Sequence, residues 1–326
     1  MLWPTLQLVG GLLILLVGGH FLVQGAVNIA LLARLSTAVV ALTVVAMGTS
    51  LPELAVSLDA AARHSTDIAF GNIIGSCVFN IGAILGVAAV ISTIPVRRET
   101  IRFEYPVMLF VALLTVIVAR DGMVDRLDGI TLVVGLVVFI ATMIVFAKRG
   151  VSLGEAEALK RDVERAARLE EGPVRAWGRN VLYVIGGIVA LVAGAEFSVN
   201  GGVAIARDLG VEERVIGLTV IAMGTSLPEL ATSVVATVRR ESEIALGNVV
   251  GSNIFNILAI LGITATIFPV PVNAQAIAVD NWVMLGFSAA LFPMMWRSRR
   301  ISRSSALILL AGFVAFMSYL VVGALR

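Results

Sequence analysis

The sequence predicts an all-α polytopic membrane protein, with ten transmembrane helices arranged as two inverted five-helix repeats and broken helices 2 and 7 at the centre. Three observations support this fold class: an apolar composition, ten long stretches with few charged residues, and one polar segment that occurs twice. The 326 residues are 59% hydrophobic and 14% charged, whereas soluble domains are about half apolar and about a quarter charged. This composition excludes an ordinary soluble enzyme.

The ten stretches have the length that a helix needs to cross a bilayer, which is about twenty apolar residues. The first has no basic residue ahead of it and is too long for a signal-peptide core, so we expect it to remain in the mature protein. The expected spans are 6–32, 38–62, 69–93, 105–119, 128–147, 180–205, 215–238, 244–267, 281–296 and 304–324.

An internal repeat organises these spans. GTSLPELAVS at 48–57 returns as GTSLPELATS at 224–233, and GNIIGSCVFNIGAILG at 71–86 returns as GNVVGSNIFNILAILG at 247–262. Both offsets are 176, and 24 of the 39 aligned positions from 48 to 86 are identical. Each unit holds five spans, so the second must enter the membrane from the opposite face. We therefore expect one repeat in 1–147, a linker in 148–179 and an inverted repeat in 180–326.

The distribution of basic residues predicts the orientation. With the amino terminus outside, 18 of the 24 Lys and Arg residues fall on the inner side and 6 on the outer side. Both termini are then outside and the 148–179 loop is cytoplasmic, in a plasma membrane or prokaryotic inner membrane. The net charge of +2 reflects this loop topology, and the sequence shows no basic patch or aromatic groove for nucleic acid.

Two carboxylates, Glu53 and Glu229, lie deep inside the second and seventh spans. A carboxylate at that depth is costly unless it faces a partner or a watery cavity. Pro52 and Pro228 precede them, and proline deprives carbonyls of the preceding turn of their helical donor. Further members of the two helix breaks are Gly48 and Gly224, the carbonyl candidates Ala46 and Ala222, and the hydroxyls of Thr49, Ser50, Thr225 and Ser226.

A second polar row is expected on the third and eighth spans. Its residues are four apart and therefore share one helix face. They are Asn72, Ser76 and Asn80 in the first repeat and Asn248, Ser252 and Asn256 in the second. The pairs Gly71 with Gly75 and Gly247 with Gly251 are typical of closely packed membrane helices.

Carboxylates, hydroxyls, amide oxygens and carbonyls form an all-oxygen donor set, which suits Ca²⁺ or Na⁺ better than zinc or copper. Two carboxylates neutralise one Ca²⁺, and several Na⁺ ions could offset the same charge. Competition of two ions for one site is the minimum requirement for an exchanger, and inverted repeats with broken helices are a recurrent transporter architecture.

The paired GTSLPE and GNxxGSxxFN segments resemble the cation/calcium exchanger superfamily, and within it the prokaryotic sodium/calcium exchangers. The resemblance implies ten helices, first and sixth helices that slide to switch access, and exchange of Na⁺ for Ca²⁺ with no cofactor. It makes Glu53 and Glu229 shared ligands of Ca²⁺ and Na⁺. The other implied ligands are Thr49, Ser50, Ser76, Asn80, Thr225, Ser226, Ser252 and Asn256.

Two departures from the family pattern affect this expectation. Some relatives carry Asp where this chain has Asn256, and Cys77 replaces the Asn found at its counterpart, Asn253. The ion stoichiometry therefore stays open. The proton-coupled branch usually has a further acidic residue in the GN segment, and its absence here favours sodium coupling.

Several alternatives stay open at this stage. The duplication could serve packing alone, and the function could be H⁺/Ca²⁺ antiport, transport of another cation, a cation channel or, least favoured, intramembrane proteolysis. Hydroxyls could bond their own helix, and Asn72 and Asn248 could only bridge helices. His20 and Glu196 could line a gate or an interface, and Asp59 could mark an entrance or a solvated helix end. No obligate protein partner is evident beyond the bilayer.

Overall fold

The computed structural model describes residues 2–33, 35–63, 65–149, 173–211, 216, 220 and 222–324. Twelve helical segments and four two-residue strands account for nearly all of them. The helices of the first repeat are α1 (Leu2–Ala33), α2 (Thr37–Thr49), α3 (Leu51–Ala62), α4 (Ile68–Ile91), α5 (Thr100–Val118) and α6 (Arg126–Arg149). Those of the second are α7 (Pro173–Asp208), α8 (Ala222–Gly224), α9 (Leu227–Val238), α10 (Ser242–Ile267), α11 (Ala276–Ser298) and α12 (Arg303–Ala324).

The helices confirm the predicted all-α membrane fold, whereas the count of ten spans stays a prediction. Among the described residues, eight helices are long and apolar enough to cross a membrane, and the bent pair α2 and α3 makes a ninth. The expected span 215–238 falls partly outside the described residues, which include its α8 and α9 portions. Helix α7 begins at Pro173, so the end of the expected linker is helical. Ser152 and Glu155 in the linker have the spacing of a capping box and predict a short surface helix, but this segment lies outside the described residues.

Two short antiparallel strand pairs join the connections between helices. β1 (Ile94–Pro95) pairs with β4 (Arg300–Ile301), and β2 (Met123–Val124) pairs with β3 (Val270–Pro271). Each pair contains one strand from each repeat. The two repeats are thereby tied together at both ends, with β1 and β4 at one membrane face and β2 and β3 at the other.

Helices α4 and α10 form the centre of the molecule. In their most apolar stretches 83% of α4 and 94% of α10 is buried, against 39% or less for the other long helices. Both contain a π-helical segment, Asn80–Leu85 and Asn256–Leu261. Such wide turns inside α-helices frequently mark functional sites. Here each begins at one of the predicted ligand asparagines.

Helices α1 and α7 pack against each other along a seam of glycines. A Cβ at Gly187 would lie 2.7 Å from the Leu22 nitrogen, and one at Gly18 would lie 2.9 Å from the Leu191 nitrogen. Backbone thus meets backbone directly, as is typical of small residues in membrane helix pairs. The two equivalent helices of the repeats therefore form one closely packed pair.

This seam predicts opposite effects for two neighbouring glycines. Gly187→Ala should destabilise the protein by about 1 to 3 kcal/mol, because the added methyl meets the backbone of α1. Gly186→Ala is the matched control, since an added Cβ there has nothing within 4 Å and alanine is the better helix former. Thermal unfolding in detergent should show a lower Tm for Gly187→Ala and an unchanged or higher Tm for Gly186→Ala. Equal Tm values would contradict close packing of α1 and α7.

Candidate cation-binding site

The two helix breaks lie at equivalent serines. Ser50 (φ −85°, ψ 8°) separates α2 from α3, which meet at 43°, and Ser226 (φ −93°, ψ 9°) precedes α9 in the same way. Pro52 and Pro228 occupy the first turn of the following helix, where the missing N–H costs no hydrogen bond. The prolines therefore start the second helix of each pair, and Glu53 and Glu229 lie in its first turn.

Helix α7 packs against the glycines of both breaks. A side chain at Gly48 would collide with Ile188, and one at Gly224 with Val199. Ile188 and Val199 both belong to α7. The helix-break glycines thus serve close packing of α7 over the polar centre.

The backbone at the first break corrects one expectation. The Ala46 carbonyl was expected to lose its helical partner, but it accepts the Ser50 N–H at 3.1 Å and the Thr49 hydroxyl at 3.3 Å. A helical N–H at position 52 would donate to the Gly48 carbonyl, so Pro52 removes no donor from Ala46. In the second break the Ser226 N–H donates to the Met223 carbonyl at 3.2 Å. The two breaks therefore differ, because the serine N–H donates to the carbonyl four residues earlier in the first break and three residues earlier in the second.

The buried carboxylates are each held by the serine of the opposite repeat. Ser50 Oγ donates to Glu229 Oε1 at 2.9 Å, and Ser226 Oγ donates to Glu53 Oε1 at 2.8 Å. Ser226 also lies 3.1 Å from the Ser76 hydroxyl. Glu53 is 1% exposed and Glu229 is fully buried. Among the described residues no basic side chain pairs with either carboxylate, so their charge has no protein counterion there.

Asn72 and Asn248 connect the same two repeats. Asn72 Nδ2 donates to the Glu53 carbonyl at 3.3 Å and to Ser57 Oγ at 3.0 Å, while its Oδ1 accepts from Thr225 at 3.3 Å. The second repeat has the equivalent contacts.

Asn248 donates to the Glu229 carbonyl at 3.3 Å and to Ser233 at 3.1 Å, and it accepts from Thr49 at 3.2 Å. These contacts give both asparagines a bridging role. The sequence did not predict a bridging role for Ser57 and Ser233, although serine occurs at this position in both repeats.

Five buried oxygens at this centre have no hydrogen-bond partner among the described residues. They are Glu53 Oε2, Glu229 Oε2, Asn80 Oδ1, Ser252 Oγ and Asn256 Oδ1. Buried polar atoms are nearly always paired, so each of these oxygens needs an explanation. All five belong to predicted ligands. Oxygen donors of this kind fit a hard cation such as Ca²⁺ or Na⁺.

The asparagines of the π-helical segments differ in their surroundings. Asn80 Nδ2 donates to Asn253 Oδ1 at 3.0 Å, and Asn253 Nδ2 donates to the Cys77 carbonyl at 3.4 Å. Both amide atoms of Asn256 lack a hydrogen-bond partner in the described part of the chain. The replacement of Asn by Cys77 thus leaves the amide of Asn256 without the neighbour that Asn80 has.

The remaining candidates lie away from this centre. Arg239 Nη1 lies 3.3 Å from His20 Nδ1 and donates to the His20 carbonyl at 3.2 Å, which connects the end of α9 to α1. Asp59 and Arg63 form an exposed ion pair at 2.8 Å. Glu196 is exposed on α7. None of these side chains contacts the buried carboxylates.

Comparisons with known proteins agree with this architecture. The family model described as sodium/calcium exchanger protein matches residues 3–145 and 179–322. The putative antiporter CaxA of Alkalimonas amylolytica is 37% identical over 97% of this chain and 98% of its own length. The sodium/calcium exchanger MaX1 of Methanosarcina acetivorans is 30% identical over 94% of this chain and 95% of its own.

A solved structure gives the same result in three dimensions. The sodium-calcium exchanger NCX_Mj, soaked with 2.5 mM Na⁺ and 0.1 mM Ca²⁺, superposes with a TM-score of 0.82 at 30% identity. The match covers 97% of each chain. The family model covers both repeats, and the relatives match nearly from end to end. The chain therefore belongs to the sodium/calcium exchanger family.

Proposed function

We propose that this protein is a secondary active antiporter that expels Ca²⁺ from the cell in exchange for Na⁺ by alternating access. The observation that carries the proposal is the arrangement of the two carboxylates. One oxygen of each is held by a serine of the opposite repeat, and the other oxygen has no hydrogen-bond partner among the described residues. Each carboxylate is thus oriented and still has an oxygen available to an ion.

The charge balance explains why the two ions would exclude each other. One Ca²⁺ brings two ionised carboxylates to neutrality, and Na⁺ ions that occupy the same oxygens also offset that charge. Loading the site with both would leave excess positive charge in a medium of low dielectric constant, where such charge is costly. Occupancy by one kind of ion therefore requires release of the other.

The proposed ligands are the residues that the helix breaks and the π-helical segments bring together. Glu53 and Glu229 bind both ions, and the carbonyls of Ala46 and Ala222 remain candidates through their second lone pairs. The hydroxyl and amide ligands are Thr49, Ser50, Ser76, Asn80, Thr225, Ser226, Ser252 and Asn256. Asn72 and Asn248 hold the ligand-bearing helices in register.

The packed pair α1 and α7 is the moving part in this proposal. It covers both helix breaks through Ile188 and Val199, and much of its outer surface is exposed. Movement of this pair along α2, α3, α8 and α9 would open the centre to one face at a time. The ions are the transported substrates, and the proposal needs no cofactor and no catalytic residue.

Ion exchange by the purified protein tests this function. Proteoliposomes loaded with Na⁺ should take up radioactive Ca²⁺ when external Na⁺ is removed, and a pH gradient alone should drive no uptake. Glu53→Gln and Glu229→Gln should each abolish uptake, because the single remaining carboxylate cannot neutralise a divalent ion. Glu99→Gln, at an exposed side chain outside the site, is the matched control and should exchange normally.

The outcomes separate the alternatives clearly. Uptake driven by the pH gradient would show that Ca²⁺ transport is coupled to protons and not to sodium. Normal exchange in both site variants would refute the site, and ion currents far above the turnover of an antiporter would indicate a channel.

The reciprocal serines predict matched losses. Ser50→Ala and Ser226→Ala should each weaken apparent Ca²⁺ affinity about tenfold or more, because each removes a hydrogen bond to a charged carboxylate. Half-saturating Ca²⁺ in the uptake assay measures the effect. Ser198→Ala removes a buried hydroxyl that has no partner among the described residues and lies on α7, outside the ligand set, so its affinity should be unchanged. A loss confined to one of the two serines would contradict their equivalence.

The orientation can be tested with single cysteines. The native Cys77 is buried, so Cys77→Ala provides a cysteine-free background. A membrane-impermeant maleimide added to intact cells should label Asp121→Cys, which lies on the expected outer side. Ser152→Cys, in the expected cytoplasmic linker, should react after permeabilisation. The reverse pattern would place both termini inside.

A further inference from the structure

The two strand pairs are built from equivalent turns of the two repeats. Residues 120–128 and 297–305 correspond at an offset of 177, and the register pairs Val124 with Val270 as it pairs Ile301 with Ile94. Even the closing hydrogen bond is shared: the Val272 N–H donates to the Gly122 carbonyl and the Val96 N–H to the Arg299 carbonyl, both at 2.8 Å. Because the two turns share the same strand register and closing hydrogen bond, their backbone structure does not explain the differences between their side chains.

The charges of the two turns are opposite. Residues 120–128 contain two arginines and three aspartates, whereas 297–305 contain four arginines and no carboxylate. Serine stands at every position that is aspartate in the first turn, namely Ser298 for Asp121, Ser302 for Asp125 and Ser305 for Asp128.

The requirements of the helix start do not explain this loss of acid. Asp125 accepts the Asp128 N–H at 2.9 Å, and Ser302 accepts the Ser305 N–H at 3.2 Å. Serine and aspartate are both good caps for the first turn of a helix. The exchange therefore preserves the cap and removes the negative charge.

Arg299 occupies a position that favours glycine. Its backbone is left-handed (φ 48°, ψ 36°), and its equivalent is Gly122 (φ 89°). A side chain in this region is strained, and such strain tends to persist where the residue has a function. Arg299 therefore adopts a left-handed conformation at a position where the other repeat has glycine, the residue best suited to it.

Three of the four guanidinium groups of this turn are available. Arg297, Arg299 and Arg300 are exposed, and none of them forms an ion pair within the described ranges. Arg97 on the paired connection is different, because it lies 3.6 Å from Glu99 and 3.3 Å from Glu243. Three adjacent cations therefore face outward, and no carboxylate among the described residues pairs with them.

The surroundings of these cations are apolar. Trp296 is 64% exposed beside Arg297, and Leu307 and Ile308 are 62% and 63% exposed one turn into α12. Tryptophan at the end of a membrane helix is typical of the level of the lipid headgroups. An anion bound here would lie directly above surface suited to acyl chains.

We propose that Arg297, Arg299 and Arg300, which we call the arginine platform, bind the phosphate groups of anionic phospholipids. Arginine presents a planar fork of donors that matches phosphate oxygens. The exposed Trp296, Leu307 and Ile308 accommodate the attached chains, which a free phosphate ion lacks. The three arginines lie within four consecutive residues, and the pairing of β4 with β1 anchors their turn. The platform lies outside the ion site, so this inference does not depend on the exchange reaction.

Lipid binding to the full-length protein in neutral detergent tests the platform. Phosphatidylglycerol should bind more tightly than phosphatidylcholine, and R297Q/R299Q/R300Q should lower its affinity about fivefold for each arginine removed. R120Q/R126Q, on the equivalent turn of the other repeat, is the matched control and should bind as the unaltered protein does. Equal binding of the two lipids, or full affinity in the triple variant, would overturn the proposal. Displacement of the lipid by an equal concentration of inorganic phosphate would also overturn it.

Arg299→Gly separates lipid binding from folding. Glycine relieves the left-handed strain, so Tm in neutral detergent should rise while the affinity for phosphatidylglycerol falls. A purely structural arginine would lower Tm when removed. An arginine needed only to orient the chain during insertion would leave the lipid affinity of the folded protein unchanged. Either of these results would contradict a lipid site at Arg299.

Discussion

The burial of two carboxylates without a basic partner among the described residues is the constraint on which the rest of the structure depends. Glu53 and Glu229 are almost fully buried, and such groups are costly inside a membrane unless hydrogen bonds and a counter-charge compensate them. The protein supplies the hydrogen bonds through Ser226 and Ser50. A transported cation supplies the counter-charge in the proposed mechanism. The broken helices follow from the same need, because they place serine, proline and glutamate together in one short turn.

The hydrogen bonds that hold the two carboxylates run between the repeats, so neither repeat can complete the site alone. Ser50 and Thr49 of the first repeat donate to Glu229 and Asn248 of the second, and the inverse contacts start from Ser226 and Thr225. A shift of one repeat against the other would alter both halves of the donor set at once. This reciprocity provides a physical basis for linking ion occupancy to conformation, since an ion that bridges Glu53 and Glu229 also bridges the repeats.

The sequence predicts the fold class and the residue types that gather at the centre, because duplication and residue type can be read directly from it. It does not predict which atoms meet. The π-helical segments at Asn80 and Asn256 carry no proline or glycine signature at their start, and the bridging serines Ser57 and Ser233 looked like ordinary helix residues. The expectation for the Ala46 carbonyl was wrong because Ala46 keeps its helical donor, the Ser50 N–H, whereas the i−4 carbonyl of Pro52 is that of Gly48. Residue types in the sequence locate a helix break, whereas the three-dimensional structure determines which carbonyls lose their hydrogen bonds there.

Differences between the repeats are informative because the shared backbone acts as an internal control. Where both copies line the common centre, as at Ser50 and Ser226, side chains and contacts agree. Where the copies diverge on the same backbone, as at Gly122 and Arg299, the local fold cannot be the reason. Inversion places such equivalent positions at opposite membrane faces, so divergence there reports what each face requires. The arginine turn and the aspartate turn therefore follow from two different surroundings, whereas the common centre suits the proposed exchange, in which an ion binds from either side.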